Sequence, residues 1–114
     1  MAWVLQMLGS GDLPTTSGVL VSPQYPCVVR GIRVSNLSGV SVTCTIYAST
    51  AGGDVPLTTP DLPLTANESV LVDTPIMLAG GVDGIKGVGS TSSGISYTIW
   101  GVVRQGRFMM LAEG

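Results

Sequence analysis

The chain has 114 residues, a formal net charge of −2 and no histidine, with 11% charged against 45% hydrophobic residues. That is the size of one domain with one modest core. The acidic balance excludes a nucleic-acid binder, which needs a cationic face for phosphate, and no apolar run approaches the ~20 residues of a helical membrane span.

In chain order, Met1 to Leu8 is apolar, but it lacks a positive leading segment and is too short for a signal peptide. The expectation is therefore a chain made in the cytoplasm and left unprocessed. Within it Trp3, Leu5 and Met7 alternate. Helix signals are nearly absent, because 16 glycines and 7 prolines punctuate the chain and Val, Ile and Thr fill the gaps.

Val28 to Ser35 alternates with Ile32 and Val34 on the inward side. Asn36-Leu37-Ser38-Gly39 is turn chemistry, and Val40 to Ala48 is the clearest strand of the chain. There Val40, Val42, Cys44, Ile46 and Ala48 share one face, and Ser41, Thr43, Thr45, Tyr47 and Ser49 share the other, with the period of two expected of a half-buried strand. A three-residue loop at 37–39 makes these two strands a hairpin in which Val34 faces Val42 and Ile32 faces Cys44. Cys27 then lies near Ser49 and away from Cys44, too far for a disulfide, so both thiols are expected to be free and buried.

Ala51 to Asp54 and Pro56 to Pro63 read as loop, with Leu62 to Leu64 as a short edge piece. Asn67-Glu68 is a turn before an extended Ser69 to Asp73. Pro75 breaks the chain ahead of Ile76 to Leu78, 79–84 is a turn, and Ile85 to Val88 is extended. After a polar turn at 90–94, Ile95 to Val103 is the last long strand, with Ile95, Tyr97, Ile99, Gly101 and Val103 on one face and Trp100 on the other. Short strands between regular turns predict an all-β, antiparallel β-sandwich of jelly-roll-like kind, as a single domain spanning 1–114. Residues 1–12 and 104–114 are candidate apolar terminal arms, the second carrying Arg107-Phe108-Met109-Met110-Leu111. They either add strands to their own sandwich or dock on a neighbour.

Chemistry-bearing patterns are missing. Without histidine there is no Ser-His or Cys-His pair. The seven acids stand singly among predicted turns, where Asp and Glu act as local hydrogen-bond acceptors. The glycine-rich stretch 80–89 has no Gly-Lys-Ser/Thr and opens no helix, so it reads as turn rather than phosphate loop. No acid spacing matches a calcium loop, and two cysteines alone make no zinc site. Asn36-Leu37-Ser38 and Asn67-Glu68-Ser69 match glycosylation sequons but read as plain turns. No enzyme, cofactor or metal is expected. Sparse charge protects a surface poorly against association, which points to an oligomer or larger assembly; a monomer coated in Ser and Thr is the alternative. The candidate interface residues are Trp3, Leu5, Met7, Tyr47, Trp100, Phe108, Met109, Met110 and Leu111, because aromatics and large apolar side chains on a non-core phase, or at a chain end, fit a partner pocket or stack on sugars.

The run from Val19 to Tyr47, with Leu62-Pro63-Leu64-Thr65-Ala66-Asn67-Glu68-Ser69, Pro75-Ile76-Met77-Leu78 and Ile95 to Val102, resembles the small β-sandwich structural proteins of tailed bacteriophages. The shared rhythm is a Pro-led entry, an Arg-Gly-Ile-x-Val-x-Asn strand, a Thr/Val-rich partner and a late strand ending near glycine. The loop at 80–84 departs from it by an extra Gly-Val. The resemblance implies a virion protein without catalytic residues, made in the host cytoplasm. It would be a capsid decoration (cement) protein on the capsid surface or, alternatively, a tail, collar or head-fibre component that recognises the host surface. It further implies a homo-oligomer, with a trimer favoured, bound to the major capsid protein or other virion proteins.

Overall fold

The computed structural model describes residues 3–73, 75–81, 83–91 and 94–104, apart from the side chains of residues 3 and 104. Ten strands succeed one another: β1 (Trp3–Asp12), β2 (Gly18–Val21), β3 (Cys27–Asn36), β4 (Val42–Thr50), β5 (Gly53–Pro56), β6 (Leu62–Leu64), β7 (Ser69–Val72), β8 (Ile76–Leu78), β9 (Gly84–Gly89) and β10 (Ile95–Arg104). They form two antiparallel sheets. One has the order β1-β10-β3-β7, with β8 also on β3; the other has β2-β9-β4-β5, with β6 also on β4.

The pairing has a single logic. The first four strands meet the later ones in reverse order: β1 with β10, β2 with β9, β3 with β8 and β7, β4 with β6 and β5. A long antiparallel ribbon wound on itself, closed by β10 on β3 and β9 on β4, is a jelly roll. The expected β-sandwich is the observed fold.

The core lies between the sheets. Val29, Ile32, Val34, Ile95 and Ile99 from one meet Val42, Cys44, Ile46, Leu64 and Ile85 from the other, all buried. Alternation explains this, since each strand turns its apolar phase inward. Leu13 belongs to the same core at the corner where the chain changes sheets. Its N–H donates to the Ile95 carbonyl (2.8 Å), and the Pro14 carbonyl accepts from Gly89 of the other sheet (2.8 Å).

The expected hairpin of β3 and β4 does not form. The two strands belong to opposite sheets, so Ile32 and Cys44 both point into the core but face each other across it instead of pairing. The reason stands at Asn36. Its backbone pairs with the 65–68 turn, donating to the Glu68 carbonyl (2.8 Å) and accepting from Asn67 (2.9 Å). The fully buried Asn36 side chain donates through Nδ2 to the carbonyls of Val40 (2.6 Å), Leu64 (3.2 Å) and Thr65 (3.0 Å), and its Oδ1 accepts from the Ser38 N–H (2.9 Å) and hydroxyl (2.6 Å). These bonds hold the 37–41 segment as a bridge between sheets. Val40, expected on the inward face of the strand, lies in that bridge and is exposed.

Both cysteines are free and buried, as expected, though not through the expected register: Cys27 is level with Leu78 and Val103, and Cys44 with Leu62 and Gly89. Burial raises both thiol pKa values, that of Cys44 to about 11. Gly53–Pro56, read as loop, is the edge strand β5; Pro56 closes it, a place where a missing N–H is tolerated. Residues 3–12 are a strand of the body's own sheet, not a free arm, because they pair with β10 along their length.

Candidate surface site on the first sheet

Cross-strand partners point to the same side of a sheet, so the register shows what the outer face of the β1-β10-β3 sheet carries. One row crosses four strands: Leu5, Val102, Val28 and Met77. Leu5 is 67% and Met77 74% exposed, and both valines are half-buried. The next row holds Met7, Trp100 and Gly31, with Met7 61% exposed. Beyond it the face turns mostly polar. Ser10, Thr98 and Arg33 are aligned in a row that ends on β7 at the exposed Leu71, then come Asp12, Ser96, Ser35 and Ser69, with the Ser35 and Ser69 hydroxyls 2.8 Å apart. Half of this face is thus apolar, and that half lies at the end where β1 begins and β10 finishes.

Trp100 organises the boundary. Its indole lies against Gly31, whose missing β-carbon would collide with the ring. Beside it Trp100, Arg33, Ser69, Val70 and Leu71 line a groove of about 300 Å³. The β3–β10 register shifts here between Trp100 and Gly101, and Gly101 lies too close to the Val28 carbonyl to carry a side chain. A second cleft of about 290 Å³ lies between β1 and the 22–25 loop, lined by Gln6, Leu8, Val21, Pro23, Tyr25 and Val103 among others.

The structure brings Leu5, Met7 and Trp100 together on this face. Trp3 begins β1 level with Arg104; its side chain is outside the described residues. Tyr47 lies elsewhere, on the outer face of the second sheet, in a row with Val19, Lys86 and Pro56. Phe108, Met109, Met110 and Leu111, and with them the 104–114 arm beyond Arg104, lie outside the described residues. The fold adds Val28, Met77, Val102 and Leu71, which sequence reasoning missed. Val28 and Val102 sit on the outward phase of their strands, a readable signal; Met77 and Leu71 sit in pieces too short to reveal a phase.

Two acids, Glu68 and Asp83, act as local acceptors in turns. Glu68 Oε1 accepts from the Thr65 N–H (2.7 Å), beside Asn67 in the left-handed region (φ 64°), and Asp83 Oδ2 accepts from Ala79 (2.9 Å). Asp54 pairs with Lys86 at 3.4 Å. Among the described residues no group of three Cys, Asp or Glu could hold a metal ion, and no helix is long and apolar enough to cross a membrane.

Comparison with protein families and with curated proteins finds no match. Among solved structures the chain is similar to one titled as the structure of infectious bursal disease virus Gx strain, with 19% identity, a TM-score of 0.32, and coverage of 88% of this chain and 28% of that one. The chain thus spans little more than a quarter of that protein's length, and at this TM-score the likeness carries no argument.

Proposed function

We propose that the chain is a structural protein of a tailed-bacteriophage virion that decorates the capsid as a homo-oligomer, with a trimer favoured. It binds neighbouring capsomers and raises the free energy needed to separate them, since a ligand that binds only the assembled state stabilises that state. The observation that carries this reading is the apolar half-face of Leu5, Met7, Val28, Met77, Trp100 and Val102 on a jelly roll. Contiguous exposed apolar surface is typical of interaction sites, and jelly rolls recur in capsid and lectin domains, an analogy of fold. The sparse charge and the resemblance to phage β-sandwich proteins point the same way. Trp3, Leu5, Met7 and Phe108 to Leu111 are the proposed contacts with the major capsid protein or with other copies.

The test is the number of copies per purified particle, for the full chain and for one lacking residues 107–114. Hundreds of copies, with shell occupancy and heat resistance reduced by the deletion, are expected. A dozen copies or fewer would move the protein to the neck or tail; none would remove the virion role. The groove beside Trp100 favours a second reading, a tail, collar or head-fibre component that binds host-surface glycans by stacking. Glycan binding abolished by Trp100→Ala would select it.

A further inference from the structure

Among the described strands, β1 is the long one with a side left open: it pairs with β10 alone and runs for 10 residues. The other outer strands are short and guarded. β2, β5 and β7 have 4 residues, β6 and β8 have 3. Each contains or adjoins a proline or an acid: Pro56 in β5, Pro63 in β6, Pro75 before β8, Pro23 just after β2 and Asp73 after β7. Shortness, proline and charge are the usual means that keep a sheet edge from pairing with another chain.

β1 has such protection only in its second half. There the register shifts between Met7 and Gly9, a bulge that bends an edge away, and Gly9 lies so close to Val21 that a β-carbon would collide. From Trp3 to Met7 the register is unbroken, and the stretch holds neither charge nor proline. Leu5 and Met7 are exposed on the outer face of the sheet, Val4 and Gln6 on the inner phase.

We propose that residues 3–7 of β1 pair edge to edge with the same residues of a second copy, antiparallel about a two-fold axis. The second copy meets this strand through its own β1, because its other described edges are short and guarded in the same way. A register centred on Leu5 pairs all five residues and keeps each strand clear of the other's bulge. Leu5 then lies opposite Leu5, Val4 opposite Gln6 and Trp3 opposite Met7, and no charges meet. The apolar outer face stays open. Its row of Met77, Val28, Val102 and Leu5 continues into the row of the second copy and doubles in width. Five paired residues bury less than the ~1,200 Å² of a standard interface, so the pair forms and parts with concentration. A three-fold contact would need a different surface. The pairing requires only two free chains; absence from particles would overturn the virion role and leave it untouched.

The test is sedimentation velocity of the full chain and of Leu5→Lys, Leu5→Glu and Met77→Lys variants, from about 1 μM to about 1 mM, the range of weak association. Leu5 and Met77 are already exposed, and circular dichroism confirms that each variant is folded. Each Leu5 variant alone is expected to pair about tenfold more weakly than the native chain, since like charges meet directly at the axis. An equimolar mixture of the two is expected to recover a one-to-one pair. Met77→Lys, on the same face but at the far edge, is expected to leave pairing unchanged. A native chain that forms no pair at any concentration overturns the proposal, as do Leu5 variants that pair like the native chain or a mixture that does not recover. A loss with Met77→Lys equal to that with Leu5→Lys would assign the contact to the sheet faces and overturn it as well.

Discussion

The ring of Trp100 occupies the space that a β-carbon on Gly31, its cross-strand partner, would need. The glycine is buried because the indole covers it, and the indole is held because the glycine is flat. Gly31→Ala should push the ring away and destabilise the fold by about 1–3 kcal/mol, the usual cost of overpacking. In a Trp100→Ala background the same substitution should cost little or even stabilise, since alanine is the better strand residue. Urea unfolding of the four chains of this cycle measures the coupling; equal effects in both backgrounds would contradict it.

Asn36 is the second pivot. Its side chain joins the end of β3 to the 37–41 bridge, to the end of β6 at Leu64 and to Thr65. Asn36→Ala leaves several carbonyls and the Ser38 N–H without their partner, and is expected to cost about 2–4 kcal/mol, since each unsatisfied buried group costs about 1–3 kcal/mol. Chemical denaturation measures the loss.

The thiols predict a pH dependence. Burial lifts the Cys44 pKa from 9.0 to about 11 and raises that of Cys27. The folded chain therefore holds these protons where the unfolded chain releases them. Their contribution is fully present below pH 9, and stability should fall as pH rises from about 9 to about 11. A Cys44→Ala chain should show a shallower decline in melting temperature over that window. At pH 8 the native protein should react with a thiol reagent only as fast as it opens, and both thiols should react at once in denaturant.

The Lys86–Asp54 pair is partly exposed, with its atoms 3.4 Å apart. Asp54→Ala should change stability by less than about 1 kcal/mol. A larger loss in urea unfolding would mean that Asp54 acts through more than this pair.

Leu5→Ser and Met77→Ser replace side chains already exposed in the fold. Each should leave stability within about 0.5 kcal/mol, while the pair of substitutions together reduces self-association. Sedimentation velocity across a concentration series reads this directly; unchanged association would direct attention to the Tyr47 face.

Period-two alternation makes the inward faces of β3, β4 and β10 readable, and Ile32, Cys44 and Ile99 do lie in the core. It does not reveal which strands are neighbours. Alternation records the side of a sheet, not the sheet, and a short loop serves a hairpin and a crossing between sheets equally well. β3 and β4 are the case in point: their separation depends on bonds from Asn36 to residues 64–68, which no local pattern announces. The union of β1 with β10 is more distant still. Half of the candidate site is legible as outward apolar residues on long strands, Leu5, Met7 and Trp100; Met77 and Leu71 join them only through the fold.

The wound ribbon also sets a timetable for synthesis. β1 leaves the ribosome first, yet its sole partner among the described strands is β10, and β2 must likewise wait for β9. Until residues 95–104 emerge, β3 lacks a neighbour on one side and the apolar phase of β1 has nowhere to pack. The nascent chain should thus stay open and dependent on holding factors until nearly all of this domain has been made, then close in one late, cooperative step.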